Sequence, residues 1–308
     1  MNPSSDRPKH RRRLSLESEG LLGWLFVAPS LIVIGLIIAY PLFLTVYLSF
    51  LNINLLRPKA PVKFVGLDNF VWLFTKADWF WKAFGNSVVL TFGSIALLLL
   101  VGIPVALALN RNIPGKKLIR SITILPWAVP TVVAAIMWVW AFNAELGWVN
   151  KMLVSTGIFK HGIPWLGDTK TSMLAVIIAH VWKQLPFVVL VLLAGLQSIP
   201  TELREAARVD GAGAIAEFFH VTLPGLRYVI WVIVILRTIW TFNWFDYVYL
   251  MTGGGPADST LTLPIMVYKT NFMTFRVSQA SAIAAFMMLI LIILIVIFTH
   301  VQQRTAFD

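Results

Sequence analysis

The sequence predicts an all-α membrane protein with six transmembrane helices, and three observations carry that prediction. Of its 308 residues 58% are apolar and 13% are charged, against roughly 45–50% apolar and about 25% charged in a soluble domain. Six stretches are long and nearly free of charge, and a helix needs about 20 apolar residues to cross roughly 30 Å of hydrocarbon. None of the six shows the short alternating segments of a membrane barrel.

The spans are expected near residues 21–48, 84–109, 121–143, 171–196, 228–250 and 277–299, within a membrane domain covering 21–308. Residues 1–20 form a tail with Arg7, Lys9, Arg11, Arg12 and Arg13, and the short link after the second span carries Arg111, Lys116, Lys117 and Arg120. Basic residues collect on the cytoplasmic side. Both termini, Arg304 included, and the loop 197–227 are therefore expected inside, although the longer external loops still hold 5, 3 and 2 basic residues. Arg11 to Arg13 ahead of an apolar run also suits a secretion signal. The run is too long and lacks a small-x-small cleavage site, so it reads as a retained first helix.

Pro29, Pro41, Pro104, Pro126, Pro130 and Pro186 lie in or at the edges of spans, where the ring kinks a helix and frees carbonyls that neighbouring helices must satisfy. No internal repeat or matched pair of broken helices is visible, which argues against an inverted-repeat secondary transporter.

The net charge of +11 does not imply nucleic acid, because the basic residues sit in short clusters between apolar runs rather than on one face. There is no cysteine, which removes disulfides, thiolate nucleophiles and cysteine-ligated metals. His10, His161, His180, His220 and His300 never fall at the i, i+4 spacing of a helical zinc site. No Ser/His or paired-carboxylate constellation stands out, and no metal, catalytic residue or enzyme activity is expected of this chain.

The loop 197–227 is amphipathic where a connector has no need to be. Thr201 is placed to cap a helix whose first turn holds Glu202 and Glu205, acids that suit the positive end of a helix dipole. Asp210-Gly211 breaks that helix, Gly211 supplying a turn of positive φ. A second short helix is expected from Gly213 to His220, carrying Ile215, Phe218 and Phe219, with Leu223-Pro224 stopping it before the fifth span. Such a pair is either a knob for a protein partner or an amphipathic hairpin lying on lipid.

Glu205-Ala206-Ala207, three residues, Gly211, nine residues, Val221, one residue, and Leu223-Pro224 resemble the signature loop of binding-protein-dependent ABC importer permeases, Glu-Ala-Ala-x3-Gly-x9-Ile-x-Leu-Pro. Val221 for Ile is the sole departure. Further segments are similar to the carbohydrate branch of that family, of the maltose and glycerol-phosphate type: Ala28-Pro29 through Tyr40-Pro41, Phe64 to Phe70, Leu125-Pro126, Trp182 to Phe187 and Thr252 to Pro256.

The resemblance implies a type I ABC importer permease architecture in a prokaryotic inner (plasma) membrane. It implies that Glu205, Ala206, Ala207, Gly211, Phe218, Phe219, Leu223 and Pro224 dock in a groove of a cytoplasmic ATPase. No Gly-x4-Gly-Lys-Ser/Thr loop occurs here, so ATP and magnesium belong to that other chain. The implied partners are a second, similar permease, two ATPase subunits, an extracytoplasmic substrate-binding protein and membrane lipid. A channel or secondary transporter needs no ATPase and leaves the signature loop unexplained.

Ionisable groups in mid-span are expensive and point to function. Lys183, Gln184 and Phe187 share one helical face with His180, and Arg237, Trp240 and Trp244 share another with Thr241. Aromatic rings with directed polar groups suit a sugar, and the two cations suit a phosphate or carboxylate. The same residues equally suit contacts with a partner helix or with Asp246.

Overall fold

The structure, a computed structural model, describes residues 15–111, 114–157 and 159–306; the basic cluster Arg7 to Arg13 lies outside them. Among the described residues the regular structure is helical apart from one β-bridge between Leu51 and Phe64, with turns and loops between the helices. The helices are α1 (Ser15–Ile34), α2 (Tyr40–Ser49), α3 (Asp68–Thr75), α4 (Asp78–Asn110), α5 (Lys116–Ala128), α6 (Thr131–Ala141) and α7 (Trp148–Ser155). There follow α8 (Ser172–Ser198), α9 (Thr201–Val209), α10 (Ala214–Glu217), α11 (Leu223–Phe242), α12 (Asp246–Thr252), α13 (Leu263–Tyr268) and α14 (Val277–Ala306).

Five helical stretches are long and apolar enough to cross a membrane: Gly23–Ser49, α4, α8, Ala214–Phe242 and Val277–Gln302. The third expected span is not straight. It is α5 and α6, bent by 97° where Pro130 caps α6 with a φ of −55° and ψ of 141°. An extended residue before proline is favoured, and Val129, at ψ 129°, has left the helix accordingly. The fifth expected span also ends early. It stops at Phe242, and Asp246–Thr252 forms the separate α12.

Two Pro residues expected to kink or stop helices are accommodated instead. π-Turns at Gly35–Ala39 and Phe218–Thr222 precede Pro41 and Pro224, and the N–H groups of Tyr40 and Leu223 reach back five residues to Gly35 O and Phe218 O. The wider turn makes room for a ring that has no N–H to donate. Leu223-Pro224 therefore does not end the second loop helix; α10, the π-turn and α11 run on as one rod.

The core centres on α8, which packs along α4 and also touches α5 and α11. Small residues set the spacing. A Cβ on Gly102 would meet Val188 Cγ1 at 3.1 Å, one on Gly93 would meet Ile177 Cδ1 at 3.2 Å, and one on Gly195 would meet Val229 Cγ2 at 2.8 Å. Close backbone approach of this kind is how helices associate where burial from lipid yields no hydrophobic gain. The first span lies outside the core and meets the bundle through α2 against α14. Its Trp24, Phe26, Leu36 and Ile37 are exposed, a surface for lipid or another membrane subunit.

At one end of the bundle the segment 253–263 is bound to the first turns of α4 and α8. Lys82 Nζ donates to Ala257 O at 2.5 Å, Asn86 Nδ2 to Asp258 O and Leu261 O at 2.9 Å, and Ser172 Oγ meets Ser259 Oγ at 2.7 Å. At the other end Arg111 shares a cavity with α9 and α10.

Candidate functional sites: the end loop and the mid-bundle cavity

The loop between α8 and α11 is a compact, doubly tied knob. Pro200, not Thr201, occupies the N-cap of α9, and no side chain caps it; the proline ring already fixes the entry angle, leaving Thr201 as the first helical residue. At the other end Ala212 N–H donates to Ala207 O at 2.9 Å and Gly211 N–H to Arg208 O at 3.1 Å. Those two bonds are a Schellman turn, and Gly211 takes the φ of +84° it requires.

The second tie is ionic. Arg204 and Arg208, one turn apart, reach Glu217 through their Nε atoms at 2.8 and 2.9 Å. Glu217 is buried, and its hydrogen bond raises the pKa of the Arg208 guanidinium above the ordinary arginine value. These three line a cavity of about 240 Å³ with Arg111 and Phe218 at the end of α4. Hydrophobic periodicity does not single them out, although the i, i+4 arginines followed by a lone acid are a visible signal.

The knob turns Glu205 and Ala206 to the outside, with Val209 87%, Ile215 77% and Phe219 57% exposed. Ala207 and Leu223 are half-buried, Pro224 is exposed, and Phe218 is half-buried in the cavity wall with its ring 5.0 Å from that of Phe219. Of the two phenylalanines only Phe219 is thus offered outward.

Glu217→Ala is expected to leave Arg204 and Arg208 repelling each other and to free α9 from α10. The absence of cysteine allows spin labels at positions 203 and 215, and their distance distribution should broaden in the variant. An unchanged distribution would show that the Schellman turn alone fixes the knob.

Midway along the bundle a cavity of about 420 Å³ is lined by Gln184, Arg237, Trp240, Asn243, Trp244, Phe245 and Asp246. Arg237 Nη1 donates to Gln184 Oε1 at 2.6 Å. Its guanidinium lies 4.6 Å from the Phe187 ring centroid and 5.2 Å from that of Trp240, a favourable placement for a cation on π faces. Trp244 rests against His180, ring centroids 4.1 Å apart, and Tyr247 Oη donates to Ala179 O at 3.2 Å. The bend after α11 thus places Asn243, Phe245 and Asp246 in the wall; helical periodicity gave no sign of Asn243 or Phe245 there, because they lie beyond the helix end.

Lys183 is not part of this wall. It is buried, and its Nζ donates to Val129 O at 2.5 Å, the carbonyl set free at the α5–α6 break. The ammonium thereby terminates α5, where a cation also suits the helix dipole. Nor does Arg237 or Lys183 pair with Asp246: among the described residues the ion pairs within 4.0 Å are those of Glu217.

Residues 98–307 match the family described as "Binding-protein-dependent transport system inner membrane component". The chain is 36% identical over 273 residues to the trehalose/maltose transport system permease protein MalF of Thermococcus litoralis, covering 88% of this chain and 91% of that one. It is 37% identical over 280 residues to the sulfoquinovosyl glycerol transport system permease protein SmoG of Agrobacterium fabrum, covering 91% and 89%. Its fold is that of a chain in the crystal structure of a bacterial ABC transporter involved in the import of the acidic polysaccharide alginate, with a TM-score of 0.79, 24% identity and coverage of 93% and 96%. Matched along most of its length by sequence and by fold, the chain belongs to the family of binding-protein-dependent transport system inner membrane components, the permease subunits of ABC importers.

Proposed function

We propose that the chain forms half of the path of an ATP-driven importer for a sugar or sugar derivative, and that the knob of α9 and α10 couples it to a cytoplasmic ATPase. The observation that carries the coupling role is the knob itself: a rigid body at one end of the bundle that presents Glu205 beside exposed Val209, Ile215 and Phe219. Exposed apolar groups around a charge, on a backbone already fixed by two ties, suit a preorganised docking surface. The remaining partners are a second permease, a second ATPase and an extracytoplasmic binding protein; a complex with such a periplasmic protein exists for the alginate transporter. ATP and magnesium are held by the ATPase subunits. The aromatic and polar lining of the mid-bundle cavity suits a sugar ring, as do relatives that carry trehalose, maltose or sulfoquinovosyl glycerol.

A single cysteine at position 205 tests orientation and partner together. An impermeant thiol reagent should label it only in inverted vesicles, and a short photo-crosslinker attached there should capture an ATP-hydrolysing subunit. Labelling from outside intact cells reverses the topology. Crosslinks to lipid alone would mark the knob as an interfacial hairpin.

A further inference from the structure

Arg237 is 1% exposed, and its contacts use only part of the guanidinium. Nη1 is bonded to Gln184, and the rings of Phe187 and Trp240 lie beside the cation. Nε and Nη2 have no partner and no solvent contact. Those two nitrogens form one edge of the group, with N–H bonds that run side by side at the spacing of two oxygens of a carboxylate, sulfonate or phosphate. A sugar hydroxyl satisfies one of them, and an oxyanion satisfies both. A desolvated cation with an unpaired edge beside a cavity favours a negative partner far more than a neutral one. Asp246 lines the same cavity and is the rival occupant of that edge, though it forms no ion pair there.

We propose that the cavity takes the acidic group of a negatively charged sugar on the Nε/Nη2 edge of Arg237, while Trp240 and Trp244 stack on the sugar ring. The inference rests on reading this cavity as part of the solute path. Because both nitrogens are covered in this conformation, the solute reaches them when a wall side chain moves aside. Trp240, at 48% exposure beside the guanidinium, is the side chain placed to do so.

The test is a titration of the intact chain in lipid-free detergent, at constant ionic strength, following tryptophan fluorescence with D-glucuronate, D-glucose and sulfate as probes. Glucuronate should half-saturate the change at a concentration about tenfold below glucose, the factor expected of one charge-assisted bidentate contact. Sulfate alone should compete with glucuronate and not with glucose. Arg237→Gln should abolish the preference, and Arg237→Lys, which keeps the charge and loses the fork, should reduce it; the Lys variant serves if the Gln variant does not accumulate. Asp246→Asn, which removes the rival carboxylate, should strengthen the preference for glucuronate. Equal half-saturation by the two sugars, or a preference that survives Arg237→Gln, overturns the proposal. If the equal responses are both lost in Trp244→Ala, the solute path stands without the acidic group. If neither sugar gives a response, the path and the proposal fall together.

Discussion

Gly211→Val should give a chain that inserts normally yet transports at least tenfold more slowly, either losing the ATPase from the complex or hydrolysing ATP without moving solute. Gly211 sits at φ +84° in the Schellman turn, a region that costs a branched residue roughly 1–3 kcal/mol. Beyond its two chain neighbours no atom lies within 4 Å of the Cβ that would be added, so the cost is backbone strain. That strain is relieved by undoing the turn, which re-aims α9 against α10 while the spans are untouched. Gly211→Asn is the control, since asparagine tolerates the left-handed region better than other non-glycine residues. Glu205→Ala, at an exposed position, should give the same defect more mildly. Copurification of the ATPase and solute-stimulated hydrolysis read the outcome; if both match the parent in Gly211→Val and transport is unimpaired, the knob is not the coupling element.

The combined change Arg237→Ala and Trp244→Ala should abolish solute movement and leave the assembled complex in place. Arg237 is held in the cavity wall by Gln184, Phe187 and Trp240, so its removal opens the wall and strips the site of its cation. Trp244→Ala loses the ring contact with His180 but keeps the backbone bond from residue 244 N–H to Thr241 O that closes the bend after α11. Lys183→Met supplies the contrast: it unties Val129 O at the α5–α6 break, so the yield of folded chain should fall rather than the transport rate per complex. Full transport by the double variant removes these residues from the solute path.

Much of this architecture is legible in the sequence because the membrane imposes one rule on every span. Long uncharged runs mark helices wherever backbone groups must be satisfied internally. Gly211 is legible for a similar reason, a positive φ being a local demand with a local solution. What periodicity missed lies where tertiary contacts override it. Pro130 looks like Pro104 or Pro186 in the sequence, yet those two sit inside unbroken helices and Pro130 turns the chain by 97°; at that break Lys183 of α8 donates to the freed carbonyl of Val129. Pro224 looks like a stop and is absorbed by a π-turn. Lys183 and Gln184 are neighbours in sequence, but successive helical residues diverge in direction, and only Gln184 meets the cavity.

The unbroken run from α10 through α11 gives the molecule a lever arm. Ala214 stands at the knob and Arg237 in the cavity wall, with helix between them; at 1.5 Å per residue the two are on the order of 35 Å apart. A tilt of about 5° at the knob end then displaces Arg237 by on the order of 3 Å, close to the length of a hydrogen bond. With the knob seated in an ATPase that opens and closes, each stroke would make or break the grip on solute with no relay of side chains between the two sites.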